Sequence, residues 1–235
     1  MKALRQIALL TLKDLRIESR SRQTVGLVVV LGILIVTVLG LGLGPLILGA
    51  LASGLIPKDA AGSAATGILW VAYLFSGVLC FEKTMGLERQ DGALAGLLLS
   101  PVDRGVIYAG KLCANLVLML GVAAVITPVG IVFFSFDLSA NPLGFMGIMA
   151  MSMLGFAAVG TLFAAVVSST RLAGGLLAMV VFPITLPLVL ASTRLMAQLH
   201  QPSGAWDGSA FAILAAFDVI FVVVSWLTFE WVLEP

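Results

Sequence analysis

Residues 25–56 read VGLVVVLGILIVTVLGLGLGPLILGALASGLI, a run of apolar and small side chains without an ionisable group. A helix needs about 20 such residues to cross the roughly 30 Å hydrocarbon core of a bilayer. Five more stretches are long enough: residues 60–81, 112–136, 138–170, 172–193 and 209–229. Only the last contains a charged side chain, Asp218. The sequence therefore predicts an all-α integral membrane protein with six spans.

The composition of the whole chain supports this prediction. Of 235 residues, 60% are hydrophobic and 11% are charged, whereas soluble domains average about 25% charged residues. The 13 Lys and Arg residues nearly balance the 12 Asp and Glu residues, so the net charge of +1 gives no electrostatic case for nucleic acid. Cys80 and Cys113 are isolated from each other and from histidine. This spacing excludes a disulfide framework and a zinc site.

A basic segment precedes the first span. At 100° per residue, Leu4, Ile7 and Leu12 share one side of a helix, while Lys13 and Arg16 lie on another arc. This pattern is typical of an amphipathic helix at a membrane surface. We expect a single transmembrane domain over residues 1–235. Its predicted parts are an interfacial helix over 1–22, spans over 25–50, 62–81, 105–135, 143–168, 173–193 and 209–229, and a short loop helix over 85–99.

The distribution of Lys and Arg predicts the orientation, because short basic loops are retained in the cytoplasm. With the N-terminus inside, only Lys58 and Arg194 lie outside. The other eleven basic residues then lie inside: Lys2, Arg5, Lys13, Arg16, Arg20, Arg22, Lys83, Arg89, Arg104, Lys111 and Arg171. We therefore predict that both termini are cytoplasmic and that the protein lies in the inner (cytoplasmic) membrane.

The loop between the second and third spans is the main charged segment of the chain. Its apolar residues Leu87, Leu94, Leu97 and Leu98 have helical spacing, and Glu88, Arg89 and Asp91 lie elsewhere on that helix. The helix should end before Pro101, where Ser100 and Asp103 form a capping-box pattern that begins the next helix. Such a cytoplasmic helix either docks into a partner protein or is an ordinary connector. Glu82 and Lys83 lie where the second span leaves the membrane.

Two further features concern nucleotide and cofactor binding. Residues 105–111, GVIYAGK, match GxxxxGK, but Leu112 follows where a phosphate-binding loop needs Ser or Thr, and no strand precedes the motif. Any ATP hydrolysis must therefore come from another chain. The single histidine, His200, lies in an external loop, and CxxCH is absent. We predict that this chain alone binds no heme, no metal and no other cofactor.

Asp218 lies near the middle of the sixth span. An ionised carboxylate at the bilayer centre costs at least about 2.5 kcal/mol, so the side chain should face the bundle or a cavity, or be protonated. The sequence contains no second acid or base inside a span to form a proton relay with it. We therefore favour a structural hydrogen bond at Asp218 over proton transport.

Several segments together resemble the CcmB family, the heme exporter B membrane subunits of cytochrome c maturation systems. The resemblance covers the second to the fifth span, whereas the sixth span and its Asp218 match poorly. The segments are GILWVA at 67–72, FEK at 81–83, ERQDGALAGLLLSP at 88–101, AGK at 109–111, LGFAAVGT at 154–161 and FPITLPL at 182–188.

The resemblance implies the permease half of an ABC transporter of the type-V-like, ABC-2-like class. It also implies a separate cytoplasmic ATPase subunit and small heme-handling membrane partners, with ATP hydrolysis driving release of a heme-loaded chaperone. The resemblance also implies that residues 85–99 form the coupling helix and that residues 1–22 form the elbow helix. The ATPase-binding residues would be Glu82, Leu87, Glu88, Arg89, Asp91, Leu94, Leu97, Leu98 and Pro101.

Two alternatives remain at this point. An ABC-2-like exporter of a lipid or another small molecule fits the composition and topology equally well. A stand-alone proton-coupled transporter would instead use Asp218. The sequence leaves open whether heme itself crosses the membrane here and whether two copies of the chain assemble. An intramembrane enzyme is disfavoured, because neither GxSxG nor HExxH occurs.

Overall fold

A computed structural model describes residues 2–21, 23–90, 96, 102–134, 141–169, 175–199 and 208–232. Within these residues the chain forms seven α-helices and no strand. They are α1 (Lys2–Ser21), α2 (Gln23–Ala52), α3 (Lys58–Gln90), α4 (Arg104–Phe134), α5 (Pro142–Ser169), α6 (Leu176–Gln198) and α7 (Gly208–Val232). The six helices α2 to α7 are long and apolar enough to cross a membrane. The all-α fold and the six predicted spans are therefore confirmed.

The helix ends differ from the predicted span limits. Hydropathy indicates which residues lie within the membrane, whereas a helix can continue beyond the membrane. The second span was predicted for 62–81, but α3 continues to Gln90, so residues 85–90 belong to this helix and not to a separate one. The fifth span was predicted for 173–193, whereas α6 begins at Leu176, after Gly175 in the left-handed conformation (φ 79°). It also continues past the exposed Arg194 to Gln198, because a charged side chain that reaches water does not end a helix.

The start of α4 also differs from the prediction. The capping pattern placed a helix start at Ser100 and Pro101, but α4 begins at Arg104, and Asp103 is its N-cap. The Asp103 carboxylate accepts a hydrogen bond from the Gly105 amide at 2.8 Å, which satisfies one of the free amides of the first turn. Asp103 is thus the residue that caps α4, and Ser100 and Pro101 lie outside the described residues.

The two central helices of the bundle are α3 and α5. In their most apolar stretches 67% and 72% of residues are buried, against 22% for α2. Their aromatic rings form the centre of the core, where Trp70 contacts Phe156 edge to face at a centroid distance of 6.3 Å. The Trp70 indole donates a hydrogen bond to Ser192 Oγ at 3.1 Å, which links α3 to α6. The one polar atom of the Trp70 side chain is therefore hydrogen-bonded although the side chain is buried.

The peripheral helix α2 packs through a stripe of small residues. Its buried residues recur every four positions: Thr24, Val28, Gly32, Val36, Gly40 and Gly44. Residues four apart lie on one helix face, and small side chains let neighbouring membrane helices approach closely. At Gly40 the ring of Phe133 on α4 lies where a Cβ atom would be, with Cγ only 2.8 Å from that position. The opposite side of α2 exposes large apolar residues such as Leu34 and Leu41, as expected for contact with lipid.

Candidate functional site

The helix α1 lies against α4 at one end of the bundle. This end, which we call the basic end, consists of α1, residues 82–90 of α3 and residues 102–111 of α4. Three arcs of α1 face different surroundings. Its protein-facing arc contains Ile7, Leu10, Thr11, Asp14 and Glu18, whereas Leu4 and Leu12 on a second arc and Arg5 and Arg16 on a third are exposed. The predicted amphipathic helix is therefore present, and it has in addition a face that packs on the protein.

A buried ion pair joins α1 to α4. Lys111 Nζ lies 2.8 Å from Asp14 Oδ2, and the Lys111 side chain is only 7% exposed. The second oxygen of Asp14, Oδ1, lies 3.4 Å from Lys13 Nζ. A buried charge is tolerated only when it is paired, so this contact fixes the register between the two helices.

The neighbouring residues bring the two backbones close together. Thr11 Oγ1 donates a hydrogen bond to the carbonyl of Gly110 at 3.1 Å. A Cβ atom at Gly110 would lie 2.8 Å from Cβ of Leu10, so this close approach requires a glycine. Gly110 and Lys111, the last two residues of the GxxxxGK match, thus form the docking site for α1.

The second protein-facing acid of α1, Glu18, connects this helix to the start of the first span. Glu18 is 3% exposed, and its Oε1 accepts a hydrogen bond from the Val25 amide at 3.1 Å. This amide belongs to the first turn of α2, where amides have no partner within the helix. Our sequence reasoning missed the roles of Asp14 and Glu18. Their signal was two acids four residues apart on one face of an otherwise basic helix.

Polar contacts connect the end of α3 to the helices beside it. The Thr84 hydroxyl lies 3.3 Å from Asn115 Oδ1 on α4, and Asn115 Nδ2 donates a hydrogen bond to Thr161 Oγ1 on α5 at 2.9 Å. One turn earlier, the ring of Phe81 occupies the space beside Gly160 that a Cβ atom would fill. A displacement of the end of α3 would therefore be transmitted to both α4 and α5.

The predicted docking residues lie beside this connection or outside the described residues. Glu82 is half-buried, and Lys83 is exposed. The next three predicted residues, Leu87, Glu88 and Arg89, are helical in backbone as the last turn of α3, and nothing is described of their side chains. The predicted contacts Asp91, Leu94, Leu97, Leu98 and Pro101 lie outside the described residues. The docking face therefore stays a prediction.

A second polar position lies within the bundle. Asp218 on α7 is 6% exposed and faces α5, where its Oδ1 occupies the space that a Cβ atom at Gly155 would need. The expected structural hydrogen bond is not formed, since neither carboxylate oxygen has a hydrogen-bond partner. The hydroxyl of Ser152 on α5 is also buried without a partner.

The part of the chain that is described contains no group of three or more His, Cys, Asp or Glu side chains placed to hold a metal ion. His200 lies outside that part. The prediction that this chain alone binds no heme therefore stays a prediction.

Comparison with known proteins identifies the family. Residues 5–234 match the CcmB protein family, which is nearly the whole chain. The chain belongs to the CcmB protein family. The heme exporter protein B of Paracoccus denitrificans (strain Pd 1222) is 27% identical over 213 residues, which are 89% of this chain and 90% of that protein. The family match includes α1 and α7, so it extends beyond the second to fifth spans that carried the resemblance. With six apolar helices, this CcmB family member is a multi-pass membrane protein.

Proposed function

We propose that this chain is the permease subunit of an ABC transporter complex for c-type cytochrome biogenesis. Its cytoplasmic loop docks into a separate ATPase subunit, and ATP hydrolysis there drives heme delivery by releasing a heme-loaded chaperone from the membrane complex. Family membership and the relative named heme exporter protein B support this assignment. The chain itself performs no covalent chemistry, and small heme-handling membrane subunits complete the complex.

One structural observation carries the coupling part of this proposal. The helix α3 runs without a break from Lys58 to Gln90, and its apolar span ends at Gly86. The last turn is therefore continuous with a central helix of the bundle. Force applied by a partner to the segment after Gly86 would tilt α3, and the contacts of Phe81 and Thr84 would pass this tilt to α4 and α5.

The proposal includes the architecture and the orientation. The six spans form one half of a type-V-like, ABC-2-like exporter, with α1 as the elbow helix and both termini in the cytoplasm. The basic end then faces the ATPase. The ion pair of Asp14 with Lys111 supports the elbow assignment, since it attaches α1 to the helix that follows the docking loop.

The first experiment tests docking. The variant Leu97→Asp with Leu98→Asp should lose the ATPase on co-purification from membranes and lose holocytochrome c, because the docking face becomes charged. The matched control is Leu55→Asp, which changes an exposed leucine at the opposite end of the bundle and should retain both. Permease levels in the membrane are measured alongside. Wild-type ATPase binding by the double variant would refute the docking site.

The second experiment separates docking from coupling. Proline inside a helix removes a backbone hydrogen bond and bends the helix, at a cost of about 3 kcal/mol or more. Gly86→Pro should therefore retain the ATPase but lose most holocytochrome c. Gly86→Ala should behave like the wild type, because a Cβ at this position meets no atom within 4 Å. Full cytochrome yield from Gly86→Pro would refute transmission through α3.

The same assays test the rival functions. A stand-alone transporter that uses Asp218 requires that Asp218→Asn abolishes activity while the docking variant remains active. An ABC-2-like exporter of another molecule requires that the docking variant loses the ATPase without a change in holocytochrome c.

A further inference from the structure

Among the described residues, three polar atoms of α5 and α7 are buried without hydrogen-bond partners. They are the two carboxylate oxygens of Asp218 and the hydroxyl oxygen of Ser152, whose residues are 6% and 0% exposed. A buried polar atom without a hydrogen bond costs free energy, and an ionised carboxylate without a counter-charge costs much more. Asp218 and Ser152 differ in this respect from other buried polar residues such as Trp70 and Asn115, whose side chains are hydrogen-bonded.

The shape of α5 makes room for the carboxyl group. Gly155 has no side chain, and Asp218 Oδ1 fills the resulting space, with Leu188 of α6 and Phe217 beside it. Ser152 precedes Gly155 by three residues, so the two lie on the same side of α5, one turn apart. The niche therefore combines apolar walls with one hydroxyl group.

No cation in the described part of the chain neutralises Asp218. The helix α5 contains no titratable residue, and the only charged residue of α6, Arg194, is exposed and lies near the end of its helix. The titratable residues of α4 are Arg104, Tyr108, Lys111 and Cys113, all in its first third. Of these, Tyr108 reaches α5 and donates its hydroxyl hydrogen to Ala158 O, and Lys111 is paired with Asp14. The other acid of α7, Glu230, lies twelve residues further along the helix.

We propose that Asp218 and Ser152 form a proton-binding site between α5 and α7. The carboxyl group is neutral while the helices are packed, and it can release its proton only when the niche opens to water. A neutral carboxyl has an O–H that can donate to a hydroxyl oxygen such as Ser152 Oγ, whereas an ionised one has only acceptors. Mg²⁺ and Ca²⁺ need about six or more oxygen ligands, and the niche offers three. A proton is therefore the ligand that fits.

Proton binding at this site is linked to helix packing. The packed arrangement holds the proton and an arrangement in which the niche is open to water loses it, so acid favours the packed arrangement and alkali favours the hydrated one. This inference rests on the contacts of α5, α6 and α7 alone. It does not depend on the docking loop or on the ATPase.

Infrared spectroscopy of the full-length protein in lipid nanodiscs tests the protonation state. At neutral pH the wild type should show the C=O stretch of a protonated carboxyl group, and Asp218→Asn should lose it. The matched control is Asp103→Asn, which removes an exposed acid while asparagine still caps α4, and it should retain the band. If the spectra of the wild type and Asp218→Asn were identical in the region of the carboxyl C=O stretch around neutral pH, the proposal would be overturned.

Two variants that keep Asp218 test the site without relying on its removal. Ser152→Ala should shift the frequency of the band, because the hydroxyl partner is lost. Gly155→Ala should open the niche to water, because its Cβ would take the place of Asp218 Oδ1, and the band should then disappear at a lower pH than in the wild type. Gly147→Ala on the same helix is the control, since a Cβ there meets no atom within 4 Å. A band unchanged in both Ser152→Ala and Gly155→Ala would overturn the pairing.

Discussion

The contact between Asp14 and Lys111 shows how single residues attach α1 to the bundle. The two side chains are 15% and 7% exposed, and their atoms are 2.8 Å apart. The pairing of two buried charges roughly offsets the cost of removing them from water, whereas a lone buried charge has no such compensation. The consequence is an attachment that is sensitive to the loss of either partner.

We predict that Lys111→Met destabilises the protein by about 1–3 kcal/mol, because it leaves the partly buried Asp14 with only the more distant Lys13 as a counter-charge. The double variant Asp14→Leu with Lys111→Met should lose clearly less stability than Lys111→Met, since no charge remains buried. Thermal unfolding in detergent measures the stability, and limited proteolysis reports the release of α1.

Arg5→Met is the control for this cycle, since it removes an exposed cation from the same helix. It should change stability by less than about 0.5 kcal/mol. With Asp14→Leu also measured alone, a double variant as unstable as the sum of the two single variants would show that the two residues do not interact.

Among the helices, α2 shows most clearly that packing depends on which face of a helix contacts its neighbours. Glycines occur at positions 40, 42 and 44, but only the first and last belong to the buried stripe. Gly42 is exposed, and a Cβ there meets no atom within 4 Å. Residues four apart share a face, whereas residues two apart do not.

A pair of matched variants tests this packing. Gly40→Val should destabilise the fold by about 1–3 kcal/mol, because Phe133 Cγ lies 2.8 Å from the position of its Cβ. Gly42→Val should be nearly neutral, because its side chain extends into lipid. Thermal unfolding of both variants in the same detergent checks the difference. Equal stability of the two would mean that α2 packs through another face.

For the whole molecule, the sequence predicted the number of spans better than their contacts. Runs without charge are long enough to identify each membrane helix, and Asp218 was expected to face inward because a charge in lipid is costly. The ends of α3 and α6 were less predictable, since a helix continues into water beyond its apolar part.

The contacts at the basic end could not be predicted because they join distant parts of the chain. Thr11 and Gly110 are 99 positions apart, and no local periodicity records such a pairing. The protein-facing and lipid-facing sides of a membrane helix are also similarly apolar, so hydropathy did not identify Gly40 and Gly44 as the buried glycines of their segment. Only Asp14 and Glu18 gave a local indication, because they are two acids on one face of an otherwise basic helix. Their spacing indicates that this face contacts the protein, but it does not identify Lys111 as the contact.

The charge asymmetry of the molecule predicts its orientation, and this gives the last prediction. An even number of spans places both termini on one side, so a single labelled site at each end of the bundle determines the topology. In a Cys80→Ala, Cys113→Ala background, Ser53→Cys in the turn after α2 should react with a membrane-impermeant maleimide in spheroplasts. Ser19→Cys on α1 should react only after permeabilisation, because the nine basic residues of the basic end predict that it lies inside. The reverse labelling pattern would place the docking loop away from ATP and would rule out the proposed coupling.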